Sequence, residues 1–286
     1  MKKLPILLFV VLFFQELKAQ EPLYTNPFGV QAWTFRNHFP SNVVGTLDTI
    51  KMFGITELEG GVPKGMTPEV FRKLCKNRGI SIPATGGDYK ELVKNPDSIA
   101  DIAKRLGAKF VMCAWIPHKK GAFSLENAQQ AVEDFEKIGR VMKSHGLTFC
   151  YHPHGFEFQK LTLEFQKATN ETLLDYLISS TTPQYVSFEM DVLWILHGGG
   201  NPVALLEKYP TRWKLMHLKD LKRGVVGDLT GGTADENDVV LGTGQADFPK
   251  IIRVAKKVGV KHFFIEDESN FEMIHVPKSI KYLKSL

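Results

Sequence analysis

The sequence predicts a single α/β domain folded as a (β/α)8 TIM barrel, and three observations predict it. Short apolar or β-branched runs alternate with helical patterns along the chain, which argues for a parallel sheet because parallel neighbours need crossover connections. One phrase recurs, an amphipathic helix, then a glycine, then a strand, at Gly54, Gly79, Gly107, Gly146 and Gly259. A glycine at that point can take the left-handed conformation that closes a helix. Eight such units fit the roughly 260 residues beyond the N-terminal segment, the size of one barrel. A doubly wound open sheet is the alternative. It is less favoured because no G-x-G-x-x-G follows the first predicted strand and composition does not change between the halves.

Taken in order, residues 1–19 stand apart. Lys2 and Lys3 precede a nearly unbroken apolar run from Leu4 to Phe14, and Gln15 to Ala19 closes it on a small residue. That is the pattern of a cleaved secretory signal, too short for a membrane span. The expected mature domain, residues 20–286, is therefore exported, periplasmic and without a membrane anchor. Strands are predicted at 28–34, 54–59, 79–84, 108–114, 147–152, 185–191, 213–219 and 261–266. Helices are predicted at about 42–53, 68–78, 96–106, 125–145, 170–180, 202–208, 248–258 and 276–285. Thr67-Pro68, Asn95-Pro96 and Asn201-Pro202 each set a capping side chain before a proline at the first helical position. Ser41, Ser124 and Asp247 are further N-cap candidates. Two connections are long, 153–169 after strand 5 and 220–246 after strand 7, and both fall on the face where barrels of this kind build active sites.

Composition excludes several classes. At 43% hydrophobic and 23% charged residues the chain is globular. Its net charge of +5 falls to +3 when residues 1–19 go, because three lysines and one glutamate go with them. So small an excess predicts neither nucleic-acid nor membrane binding. Cys75, Cys113 and Cys150 form no CxxC and are odd in number, so they read as buried thiols rather than a disulfide framework.

The chemistry-bearing residues gather at strand ends, which a barrel brings to one mouth. They are Glu57 and Glu59 (strand 2), His152 and His154 (strand 5), Asp191 (strand 6), His217 and Lys219 (strand 7) and Glu266 (strand 8). Residues two apart on a strand share a face, so Glu189 joins Asp191 and Lys219 joins His217. Carboxylates with imidazoles and no thiolate set suit a divalent ion: Mn²⁺, Mg²⁺, Co²⁺ or Zn²⁺. His118 and Lys119 lie just beyond strand 4. Trp33, Trp115 and Trp194 offer flat apolar faces on which a sugar ring can stack, although each also suits core packing.

The stretches Tyr151 to Phe158, Met190-Asp191-Val192, Met216 to Asp220, Leu241 to Phe248 and Ile265-Glu266 resemble the xylose isomerase-like superfamily of sugar isomerases, epimerases and dehydratases. The likeness covers essentially all of residues 20–286, and it is greatest to the sugar phosphate isomerase/epimerase branch. It implies a divalent metal held by His152, Asp191, His217 and Glu266. In the epimerase members the strand-5 ligand is a glutamate, so His152 is a departure. Glu266, His154, Glu157 and Lys219 are the implied acid–base groups, and Glu59, Trp115, His118 and Trp194 the substrate contacts. The expected function is isomerisation or epimerisation of an extracytoplasmic sugar or keto-sugar through an enediolate. The His-x-His ending also resembles the inosose dehydratase-like branch, so elimination beside the ketone of a 3-keto sugar or glycoside is the alternative. A non-catalytic sugar-binding barrel is the alternative of another class, and a homo-oligomer is compatible with either. A phosphodiesterase of the endonuclease IV type would need more ligands and a basic groove than the sequence offers.

Overall fold

The structure is a computed structural model and describes residues 21–161 and 171–286; the expected signal segment, 1–19, lies outside them. Ten short strands occur in chain order: β1 (Gly29–Gln31), β2 (Glu57–Glu59), β3 (Ser81–Gly86), β4 (Phe110–Cys113), β5 (Thr148–Tyr151), β6 (Val186–Asp191), β7 (Trp213–Leu218), β8 (Asp220–Leu221), β9 (Asp238–Val239) and β10 (His262–Ile265). Eight of them close into a parallel barrel in the order β1-β10-β7-β6-β5-β4-β3-β2. The small pair β8 and β9 is antiparallel and lies in the long connection after β7. The expected (β/α)8 architecture is thus the observed one.

The outer layer is α1 (Val43–Met52), α2 (Pro68–Lys76), α3 (Tyr89–Lys94), α4 (Pro96–Leu106), α5 (Leu125–Ser144), α6 (Leu173–Ser180), α7 (Val192–His197), α8 (Pro202–Lys208), α9 (Phe248–Val258) and α10 (Glu272–Lys284). Most boundaries follow the capping chemistry in the sequence. Asn201 accepts from Ala204 N at 3.0 Å, and Ser124 forms a capping box with Asn127. Gly107 and Gly259 close α4 and α9 at φ 88°, a conformation open to glycine at little steric cost. Three expectations need correction. Asn95 makes no capping bond, because it also ends α3; Asn42 rather than Ser41 caps α1, accepting from Gly45 N at 2.8 Å. The last helix starts at Glu272, one turn before the predicted 276, and carries Pro277 inside.

The main apolar core fills the space between barrel and helices. Inside the barrel a smaller cluster, Ala84, Cys150, Leu215 and Phe264, plugs the lower part. Two residues further along the same strands the lining turns polar: Cys150 gives way to His152, Leu215 to His217, Phe264 to Glu266. The period of two along a strand therefore stacks the site directly on an apolar plug. All three cysteines are free and buried, and burial pushes the Cys113 thiol up to about 12. Among the described residues, no helix is long and apolar enough to cross a membrane.

Candidate active site

Four side chains from four consecutive strand ends meet above the plug. His152 follows β5, Asp191 ends β6, His217 lies near the end of β7 and Glu266 follows β10; all four are buried. Asp191 Oδ2 lies 3.8 Å from His152 Nε2 and 3.7 Å from His217 Nδ1, and His217 Nδ1 lies 3.3 Å from Glu266 Oε2. Asp191 Oδ2 and His217 Nδ1 have no hydrogen-bond partner despite complete burial. Leaving such atoms unpaired costs about 1–3 kcal/mol each, so they are poor candidates for simple structural roles. Ligand atoms held about 2.1 Å from a tetrahedral ion sit about 3.4 Å apart, close to the spacing found. The donor set therefore fits a divalent metal, and His152, Asp191 and His217 lie close enough to share one.

A second tier orients the first. His217 Nε2 lies 2.8 Å from Glu59 Oε1 and 3.3 Å from Glu189 Oε1, so Nε2 carries the proton and Nδ1 keeps its lone pair for an ion. His152 Nδ1 lies 3.4 Å from Glu189 Oε2, which leaves Nε2 free in the same way. Burial and then the adjacent Glu59 carboxylate push Glu189 up to about 8. The structure thus places Glu59, a sequence candidate for substrate contact, behind the His217 ring. Asp191 also holds the backbone of the next element: its Oδ1 caps α7 by accepting from Trp194 N at 3.0 Å, which fixes where Oδ2 points.

Lys219 Nζ donates to Glu266 Oε2 at 3.2 Å and to Glu268 Oε1 at 2.7 Å, and it lies 5.3 Å from the Trp194 ring centroid. Burial opposes its charge, yet Glu266, Glu268 and Asp191 hold its pKa well above the usual value. The His154 ring lies 4.8 Å from that of His152 and 5.2 Å from that of Trp194. Burial pulls His154 down to about 4, so it is a neutral imidazole at pH 7. Its Nδ1 is buried without a partner.

Beyond His154 stands an aromatic wall. Trp115 stacks on His118 at 5.1 Å, and Phe156 packs within 4.9 Å of Trp115. His118 Nδ1 donates to Ile116 O at 2.7 Å, so its Nε2 is an acceptor, and that atom and Trp194 Nε1 are buried and unpartnered. Glu157 is not part of the ligand cluster. One of its oxygens accepts from Tyr151 Oη, and both accept from the His154 N–H, at 3.1 and 3.2 Å, so it braces the chain between His154 and Gly155.

The long connection after β7 reaches the aromatic wall. Asp220 ties it down by accepting from Gly242 N and Gly244 N at 2.9 Å and from Ala246 N at 3.0 Å. At its far end Gly231 comes so close to the wall that an added Cβ would lie 2.8 Å from Phe156. Sequence reasoning missed Glu268 and Asp238, whose Oδ2 accepts from Glu268 N at 2.7 Å. The signal was present in Glu266-Asp267-Glu268, where two acids two apart share a face.

Known proteins share this fold and family. The inosose dehydratase of Clostridium beijerinckii is 25% identical over 243 residues, 76% of this chain and 74% of its own length. A sugar phosphate isomerase/epimerase from Parabacteroides distasonis superposes with a TM-score of 0.76 at 22% identity, over 91% of this chain and 93% of that one. The IOLI protein, solved with a bound zinc atom, superposes with a TM-score of 0.70 at 14% identity, over 91% of this chain and 96% of its own. The family model described as xylose isomerase-like TIM barrel matches residues 47–286, and the chain belongs to that family.

Proposed function

We propose that this chain is a divalent-metal-dependent lyase that eliminates water or another β-substituent beside the ketone of a keto-sugar or a cyclic polyol ketone. The observation that carries this is an unlike pair beside the ligand cluster: an unpartnered imidazole nitrogen, His154 Nδ1, and the Lys219 ammonium, both of which lie against Trp194. Epimerisation moves a proton on and off opposite faces of one carbon and calls for an acid–base group on each face. Elimination calls for a base at the carbon and an acid at the leaving oxygen, roles open to His154 and Lys219. The similarity to inosose dehydratases supports the same choice.

A divalent ion held by His152, Asp191, His217 and Glu266 would supply Lewis-acid charge against a substrate oxygen. Two imidazoles in that set favour Mn²⁺, Co²⁺ or Zn²⁺ over Mg²⁺. His154 Nδ1 takes the C–H proton next to the carbonyl. The electron pair released forms the carbon–carbon double bond, and the C–O bond to the leaving group breaks. Lys219 gives the departing oxygen its proton, while Glu266 and Glu268 hold the ammonium in place. Trp194 Nε1–H and His118 Nε2 pair with ring hydroxyls, and the Trp115 face packs on the ring. The connection that meets the aromatic wall at Gly231 would help keep bulk water from the carbanion. The N-terminal segment supports export, so the substrate would be met outside the cytoplasm without a phosphate.

Proton NMR in D₂O tests this with metal-loaded protein, inosose and 3-keto glycosides. Exchange of the hydrogen beside the ketone together with loss of the leaving group is expected. Exchange without loss would make the chain an isomerase or epimerase. Binding with no exchange on any keto-sugar would leave only a sugar-binding barrel and refute the enzyme.

A further inference from the structure

Beside the ligand cluster, on the same face of the barrel, a groove of about 590 Å³ opens between the connections that follow β1 and β2. Trp33, Phe39 and Val43 form one wall, and Val62, Pro63 and Phe71 the other. Arg36 and Lys64 also line it, and among the described residues no acid does. Trp33 is 56% exposed, a large apolar area to leave in water. It is nevertheless held in place. Thr34 Oγ1 accepts from Asp267 N at 3.0 Å, and Arg36 donates to Glu268 O at 2.7 Å and to Asn270 Oδ1 at 3.1 Å.

The groove adjoins the catalytic centre at two places. Arg36 holds the backbone of Glu268, whose carboxylate takes Lys219 at 2.7 Å. Ala32, in the groove wall, packs against Gly60, where an added Cβ would lie 2.6 Å from the Ala32 Cβ. Gly60 directly follows Glu59, the carboxylate on His217.

Resting on the elimination chemistry above, we propose that this groove seats an anionic aromatic substituent of the substrate. The substrate class is then a keto-sugar ring linked to a benzoate- or phenolate-type group, with the sugar at the ligand cluster and the aryl ring on Trp33. The apolar walls offer a second sugar few hydrogen-bond partners, whereas a flat ring stacks on indole. The two cations without a lining acid select negative charge on that ring.

The chain contains four tryptophans, so ¹⁵N-indole NMR can follow Trp33 alone once Trp33→Phe has assigned its peak. With protein carrying diamagnetic Zn²⁺, 4-hydroxybenzoate is expected to shift the Trp33 peak saturably. Lys64→Gln should weaken that binding several-fold while leaving benzyl alcohol unaffected. Methyl β-D-glucoside should not move the peak. In a second arm, solvent-deuterium exchange is compared for the 3-keto forms of a methyl and a 4-carboxyphenyl glucoside. The aryl compound should show a kcat/KM at least tenfold higher. Trp33→Ala should erase that ratio and Trp33→Phe should keep most of it. Shifts confined to Trp115 or Trp194, no shift at all, or a Trp33 shift that tracks protein concentration and so reports a second copy in the groove would each overturn the proposal. Equal exchange on both glucosides overturns the aryl preference and leaves the enzyme standing. Failure of exchange on both refutes the elimination chemistry, and the groove is then judged on 4-hydroxybenzoate binding alone.

Discussion

Glu157 is a carboxylate in the right neighbourhood with the wrong aim, and its protonation separates a bracing role from a catalytic one. Burial pushes its pKa up to about 7 from an ordinary 4.5, although Tyr151 Oη and backbone N–H groups pull the other way. The folded state therefore keeps a proton that the unfolded state loses as pH rises from below 4.5 towards 7. Its contribution to stability is fully present below the lower value and is lost as pH climbs through the higher one. At about 1.4 kcal/mol for each pH unit of difference, the loss reaches about 3 kcal/mol above pH 8. Glu157→Gln does not titrate. The stability of the variant minus that of the parent should thus rise by about 3 kcal/mol between pH 4.5 and 8.5, whatever its constant offset. Urea unfolding at half-unit pH steps in the presence of a chelator measures this, because titrations elsewhere cancel in the difference. Parallel curves would show that Glu157 is already ionised in the folded protein and would refute the reasoning. A loss of more than about a hundredfold in kcat at full metal occupancy would restore it as a catalytic group.

Other outcomes follow from the same geometry. Asp191→Ala should abolish stoichiometric divalent metal in the purified protein, read by elemental analysis, because it removes the ligand atom with two imidazole nitrogens beside it. Glu59→Gln should weaken metal affinity by about 10–100-fold by loosening the His217 ring, measured by competition with a chromogenic chelator. His154→Gln should lower kcat by about 10²–10⁴-fold while metal content stays unchanged. Asp220→Ala strands three backbone N–H groups and should cost about 3 kcal/mol in chemical denaturation, with earlier proteolysis in residues 222–246.

The barrel was legible because its punctuation is local. Glycines at helix ends and Thr or Asn before prolines act over one turn, so a sequence displays them directly. What escaped was structure without such marks. α7 follows β6 with Asp191 as the one polar residue from Met190 to Leu196, and its cap is Asp191 itself. A residue already assigned to a metal hid the helix start. α3 is a six-residue helix in a connection, too short for a period to show. In the site, the residues that converge were visible as strand endings, but the surroundings of Glu59 and Glu157 depend on which atom a carboxylate faces. That direction is fixed by tertiary packing and not by strand parity.

The departure at strand 5 gains its sense from the tier beneath it. A glutamate at position 152 would add a third carboxylate to Asp191 and Glu266, directly above the buried Glu189. Like charges at such range in a low-dielectric interior are costly. An imidazole removes that repulsion and gives Glu189 a donor instead, at 3.4 Å. The exchange also takes away a carboxylate that could move a proton from the β5 side. The next residue of the same parity, His154, stands in that space with a free nitrogen. In the proposed elimination this neutral base would take the proton on the β5 side, and Lys219 would give one to the leaving oxygen.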